Sequence, residues 1–118
     1  MTGEGPETLE AEEEIRIADH AITSAVARSV GLDAESKSHP LLLAEIKERA
    51  EEVHDTLVAF LTSYRSWVRK RRQMSREGTK DSPDAIAKLA TAEHSRDQHA
   101  EALTRALAKH RSVITHPL

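Results

Sequence analysis

Apolar residues recur at alternating steps of three and four through the middle of the chain, from Leu41 to Arg76. The positions are Leu43, Ile46, Ala50, Val53, Leu57, Phe60, Tyr64, Trp67, Arg71 and Met74. Nine of these ten residues are apolar or aromatic, and they include every aromatic residue of the protein. Such steps form the heptad seam of a helix that packs lengthwise against other helices. The pattern therefore predicts one long helix over residues 41–76.

Two further helical stripes flank this central one. The first covers roughly residues 8–30 and is followed by Gly31, a residue that tolerates the left-handed conformation found at many helix ends. The third covers about residues 83–114 and follows Ser82, a typical N-cap residue. No segment shows the period of two that strands require. The sequence predicts an all-α protein, a three-helix up-down-up bundle dominated by a long antiparallel coiled-coil-like hairpin.

The 118 residues fit a flexible acidic N-terminal arm over 1–7 and a single helical bundle domain over 8–115. The first predicted helix is about a dozen residues shorter than the other two, which leaves the tip of the hairpin without a third helix. Uncovered apolar residues of this kind usually belong to an interface. The predicted interface residues are Tyr64, Trp67, Val68, Met74, Ile86 and Leu89. The predicted partner is a second copy of the chain, in a homodimer or higher oligomer.

Composition excludes several classes of function. The chain has no cysteine, which removes disulfides, thiolate metal sites and a cysteine nucleophile. No apolar run approaches the roughly 18 residues of a membrane span, and the acidic N-terminus is unlike a signal peptide. The seven histidines do not fall at the spacings that let one helix hold a metal ion. A cytoplasmic protein without a metal site or cofactor is expected.

Charge is distributed unevenly, although the net charge is only −3. Seven of the seventeen Lys and Arg residues lie within residues 65–80, and the first helix begins with a block of glutamates. In an antiparallel arrangement the two blocks lie close together, so neutralisation within the protein is the favoured interpretation. The alternative is a surface that binds the phosphates of nucleic acid. Its candidate anion-binding residues are Arg65, Arg69, Arg71, Arg72 and Arg76.

The run EEVHDTLVAFL, residues 51–61, resembles half of the signature of MazG-type all-α nucleotide pyrophosphohydrolases. The resemblance implies that Glu52 and Asp55 would hold magnesium together with acids of the first helix, of which Glu13 and Glu14 are the candidates, with Asp19 as the nearest substitute for a third acid. It therefore implies a magnesium-dependent hydrolase of nucleoside triphosphates.

A second short motif lies on the last helix. Arg105 and His110 resemble the R-x4-6-H element of HEPN-type ribonucleases, which are all-α domains of about this size. The resemblance implies that the two residues from each of two protomers would meet across a dimer and cleave RNA.

The middle of the third helix carries polar residues on its stripe: Glu93, Arg96, Asp97 and His99. If they face inward, they form a register-setting network or a ligand site, because buried polar groups need partners. Otherwise they face solvent or the acids of the first helix.

No complete catalytic constellation is present, so the leading hypothesis is a non-catalytic helical interaction protein. It would be an adaptor, an assembly chaperone or a structural subunit that self-associates through the hairpin tip and binds another protein. The alternative is a nucleic-acid-associated helical protein that uses the basic cluster 65–80. An all-α hydrolase of the MazG or HEPN type is the third hypothesis.

Overall fold

The computed structural model describes residues 6–78 and 81–115, and the side chains of residues 10–78 and 81–111. Its helices are α1 (Pro6–Ser29), α2 (His39–Arg49), α3 (Glu51–Glu77) and α4 (Pro83–Thr115). Within these residues there is no strand, and no helix is long and apolar enough to cross a membrane. The all-α prediction is confirmed. The three-helix prediction is wrong, because the predicted central helix consists of two helices.

The central helix is interrupted at Ala50, whose φ of −155° and ψ of 88° are not helical. In one straight helix His39 and Arg65 would lie about 39 Å apart. Instead, His39 is 3.0 Å from Thr23 on α1, and Arg65 is 2.7 Å from Asp19, one turn earlier on the same helix. The helix α2 is therefore folded back beside α1 and α3.

Burial explains this break better than local propensity, because alanine is the best helix former. Folding α2 back buries Leu42 and Ile46 completely. Each such side chain stabilises the fold by about 1.5–3 kcal/mol, whereas an interrupted helical hydrogen bond costs only about 1 kcal/mol. The new helix start is supported by Ser38, whose hydroxyl accepts a hydrogen bond from the Leu41 N–H, and by Pro40 in the first turn.

The helix α1 lies antiparallel beside the tip half of α3. Arg65 pairs with Asp19, and one turn further along α3 Arg69 is 3.0 Å from Glu12. The length argument placed the first helix beside the base of the hairpin and left the tip uncovered, and that placement is wrong. Opposite charges draw α1 toward the tip, while α2 occupies the space near the base.

Two of the six predicted interface residues are consequently buried within the chain. Val68 is fully buried and packs against Ala11 and Ile15 of α1. Met74 is 9% exposed and lies beside Leu89 of α4 in a groove between the two helices. Both are core residues of the single chain, which corrects their assignment to an intermolecular surface.

The helix α4 runs antiparallel along α3, with Lys109 near its end 3.4 Å from Glu52 near the start of α3. Both α1 and α4 pack against α3 and scarcely contact each other. Along its principal axes the chain consequently extends over 58 × 30 × 14 Å. The helices form a thin, open layer with α3 at its centre.

The buried side chains form two clusters of unequal size. The larger lies where α2 is folded in and contains Val26, Ala27, Val30, Ala34, Leu42, Ile46, Val53, Leu57, Leu61, Leu103 and Ala106. Among the residues whose side chains are described, the smaller cluster, toward the hairpin tip, contains Ala11, Ile15 and Val68, with Tyr64 and Trp67 packed against it. Of these described residues, fewer are clustered in the tip half of the layer than where α2 is folded in.

Candidate interaction surface

A row of aromatic side chains follows one side of α3. Phe60, Tyr64 and Trp67 are all half-buried, although they lie at the seam positions of the sequence pattern. At about 100° per residue, the row falls between Val68, which faces α1, and Met74, which faces α4. The row is therefore only partly covered by the two helices that flank it.

The three rings contact one another along the helix. The ring centroids of Phe60 and Tyr64 are 6.2 Å apart, and those of Tyr64 and Trp67 are 5.9 Å apart, both in tilted arrangements. Tilted pairs at this distance contribute about 0.5–1.5 kcal/mol beyond the area they bury. The rings thus hold one another in a continuous, ordered strip.

Two arginines lie over the indole ring of Trp67. The Cζ atom of Arg71 is 4.5 Å from its ring centroid, and that of Arg96 from α4 is 4.4 Å away. A guanidinium group at this distance is attracted to the ring by about 0.5–1 kcal/mol. Arg96 also donates to the Asp97 carboxylate at 2.8 Å. Of the polar residues in the middle of α4, which is the third helix of the sequence prediction, Arg96 faces α3 rather than solvent.

On the flank of the aromatic row that faces α1, the arginines of α3 are paired with acids of α1. The N–O distances are 2.7 Å for Arg65–Asp19, 3.0 Å for Arg69–Glu12, 2.8 Å for Arg71–Glu14, 2.5 Å for Arg72–Glu14 and 3.4 Å for Arg72–Glu10. Hydrogen bonds from Arg69 and Arg72 lower the pKa values of Glu12 and Glu14, respectively. The candidate anion-binding residues Arg65, Arg69, Arg71 and Arg72 are thus engaged by carboxylates. Arg76 lies in the last turn of α3.

Polar side chains converge where α1, α2 and α3 meet, a feature that the sequence pattern did not indicate. Asp19 is 7% exposed and Thr23 is fully buried. Asp19 accepts hydrogen bonds from Arg65, and Thr23 is bonded to the Nε2 atom of His39. Burial lowers the pKa of His39, and the nearby Asp19 carboxylate opposes that shift. Because the cluster depends on α2 folding back, no local spacing could have predicted it.

The acids of the MazG-like motif are not brought together. Glu14 is bound to Arg71 and Arg72, whereas Glu52 is paired with Lys109. Residues 52 and 71 are about 28 Å apart along α3. Among the residues whose side chains are described, no group of three His, Asp or Glu is placed to hold a metal ion.

The two residues of the HEPN-like motif lie on different sides of α4. Arg105 is exposed, 3.9 Å from Glu101. His110 is half-buried and lines a 210 Å³ pocket with Val53 and Ala106. Five residues of helix separate the two by about 140° around the axis. The single chain therefore does not combine them in one site.

These features place the chain in the class of all-α proteins built around a helical hairpin. The sequence matches no protein-family model, no curated protein and no solved structure.

Proposed function

We propose that this protein is a non-catalytic helical interaction protein that self-associates as a homodimer. The observation that carries the proposal is its large surface. The chain exposes 7711 Å², whereas a compact monomer of 13.1 kDa exposes about 6,400 Å². The excess of roughly 1,300 Å² is larger than the 800 Å² or so that each partner buries in a standard interface. A second copy that covers part of the layer would restore the usual balance of buried and exposed surface.

The hairpin end supplies apolar groups for such a contact. Tyr64, Trp67 and Leu89 are half-buried, and Ile86 is 50% exposed. With Val68 and Met74 assigned to the core, these four residues are the part of the predicted interface that stays accessible. A helical dimer of this kind suits a structural subunit, an adaptor or an assembly chaperone, whose binding to a further protein remains a prediction.

Light scattering coupled to size exclusion tests the proposal, with Ile86→Glu as the probe and Ile17→Glu as its matched control. Ile17 is an exposed isoleucine on α1, at 56% exposure. We expect the unmodified chain to be a dimer at micromolar concentration. Ile86→Glu should raise the dissociation constant at least about tenfold, or 1.4 kcal/mol, because it places a charge at the contact. Ile17→Glu should leave it unchanged.

A monomer mass of 13.1 kDa throughout the micromolar range would overturn the proposal. Equal effects of the two glutamates would show that the hairpin end has no special part in the contact.

The nucleic-acid and hydrolase hypotheses stay predictions without an observation in their favour among the described residues. Polyanion binding would have to displace the carboxylates that already engage Arg65, Arg69, Arg71 and Arg72. Binding of a polyanion to these arginines would then compete with their ion pairs to the carboxylates.

A further inference from the structure

We infer that the second copy docks on the side of the layer that carries the aromatic row, with α3 of one protomer against α3 of its partner around a two-fold axis. The inference rests on the proposed self-association and adds the surface through which it occurs. This side of the layer is the aromatic face, defined by Phe60, Tyr64 and Trp67 on α3.

The aromatic face is the floor of a shallow trough. Arg71, at the end of the row, reaches Glu14 on α1, whereas Trp67 lies under Arg96 from α4. The row is thus touched by both flanking helices, which scarcely contact each other. A strip of three rings is left half-buried between them, although aromatic side chains contribute most when fully buried.

The walls of the trough continue the same apolar character. On α1, the helical stripe that begins with Glu14 continues with Ala18, Ile22 and Ala25 at steps of four, four and three. On α4, the stripe that begins with Arg96 continues with Ala100, Leu103 and Leu107 at steps of four, three and four.

The alanines of the walls are the residues open to a partner. Ala18 and Ala100 are half-buried and Ala25 is exposed, whereas Leu103 belongs to the larger core cluster and Ile22 and Leu107 pack against it. Each stripe carries small side chains, which allow another helix to approach closely. All six wall residues are uncharged. The trough therefore suits a helix better than it suits water or a polyanion.

Packing of α2 covers only the base end of the row. The contact between α2 and α1 passes through His39 and Thr23. Thr23 lies about 140–160° around α1 from Ala18 and Ala25, so this contact is made away from those two wall residues. On α3, Val53 and Leu57 continue the row toward the base and are buried in the larger cluster with Leu42 and Ile46 of α2.

The opposite side of α3 has the reverse character. Thr62, Ser66, Arg69 and Gln73 are all exposed and follow one another at steps of four, three and four. This stripe is the solvated face expected of a surface helix. The polar stripe and the aromatic row, on opposite sides of α3, thus differ sharply in character.

A second copy is the occupant that the surface area favours. The excess surface of roughly 1,300 Å² per chain is larger than the 800 Å² or so that each partner buries in a standard interface, so the chain has enough surface to cover in a homodimer. A two-fold axis brings the same patch of each protomer together, so the row on one α3 meets the row on the other. Tilted ring pairs across the axis would then complete the burial of all three aromatic residues.

Single-cysteine variants test the docking side directly, because the chain has no cysteine of its own. Tyr64→Cys places a thiol in the centre of the aromatic face. Val58→Cys places one on the same helix about 120° away, at a residue that is already 39% exposed. A short bis-maleimide is applied to each variant above the dissociation constant. We expect Tyr64→Cys to give a covalent dimer at least about tenfold faster than Val58→Cys.

Fluorescence of the unmodified chain gives a second measurement, which requires no substitution. Trp67 is the single tryptophan and lies in the row, so its emission reports on this face alone. On dilution through the dissociation constant we expect the emission to move to longer wavelength, because the indole becomes more exposed to water.

The outcomes separate the two proposals. Faster cross-linking at Val58→Cys, or an emission spectrum that stays constant while light scattering shows dissociation, would overturn the docking side but leave self-association intact. A monomer at every concentration would overturn both. Cross-linking of Tyr64→Cys together with the spectral shift would support the inferred arrangement.

Discussion

His39 is the residue at which three helices meet. Its Nε2 atom lies 3.0 Å from the Thr23 hydroxyl, beside the ion pair of Asp19 and Arg65. Burial lowers its pKa below the ordinary value, and the charge of Arg65 acts in the same direction, while Asp19 acts against it. The first turn of α2 also disfavours a cation, because of the helix dipole. The neutral imidazole is therefore the form that the folded chain accommodates.

This residue predicts a pH dependence of stability. Because the pKa of His39 is lower in the folded than in the unfolded chain, the folded state binds fewer protons. Stability should be complete above the unfolded value of about 6.5 and should decrease as the pH falls from there toward the folded value. The free energy of unfolding by urea, measured at about pH 7.5 and pH 5.5, should decline less in His39→Gln than in the unmodified chain. The exposed His94→Gln is the control, and an equal decline in all three proteins would contradict the assignment.

Arg96 shows how far residue-level prediction extends. Its position on the apolar stripe of the helix now labelled α4 marked it as a candidate inward-facing polar residue. Its partner, the ring of Trp67, depends on the axial register between α3 and α4, which a periodic pattern does not define. Conversely, the pairing of acids on α1 with arginines on α3 could be predicted from the two blocks of opposite charge. Such blocks still meet when the axial register between the helices is shifted by a turn.

At the scale of elements, the heptad pattern did not indicate the boundary between α2 and α3. The heptad steps continue through Ala50 without a fault, and no glycine or proline marks the break. The break results from tertiary burial of Leu42 and Ile46, which only the folded-back arrangement permits. Periodicity reports which side of a helix is apolar, and it does not report whether the axis is continuous.

Proline substitution distinguishes a broken helix from a continuous one. Glu51 is the first residue of α3, where proline lacks only an N–H that has no intrahelical partner. Glu51→Pro should therefore reduce the free energy of unfolding by less than about 1 kcal/mol. Thr62→Pro, in the exposed interior of the same helix, should cost about 3 kcal/mol or more. Urea denaturation measures both, and similar large losses at the two positions would indicate a continuous helix through residue 50.

At the scale of the whole molecule, stability and association are expected to be coupled. Among the described side chains, the smaller buried cluster at the tip contains Ala11, Ile15 and Val68, and the ion pairs around it are partly exposed. Exposed ion pairs contribute only about 0–1 kcal/mol each. If the proposed second copy covers the aromatic face, we expect it to stabilise the tip half of the layer. The prediction based on helix lengths also assigned the tip to an interface, but on the ground that the first helix did not reach it, whereas α1 does pack against Val68 there.

Coupling of this kind makes the melting temperature depend on protein concentration. For a dimer that unfolds to two free chains, each tenfold increase in concentration stabilises the folded dimer by about 1.4 kcal/mol. Divided by the unfolding entropy of two 118-residue chains, this corresponds to a rise of about 3 °C per tenfold increase. Differential scanning calorimetry over a hundredfold range should show the rise in the unmodified chain, and Ile86→Glu should flatten it while Ile17→Glu does not. A melting temperature that stays constant over that range would mean that the layer is stable alone, with the aromatic face exposed to water.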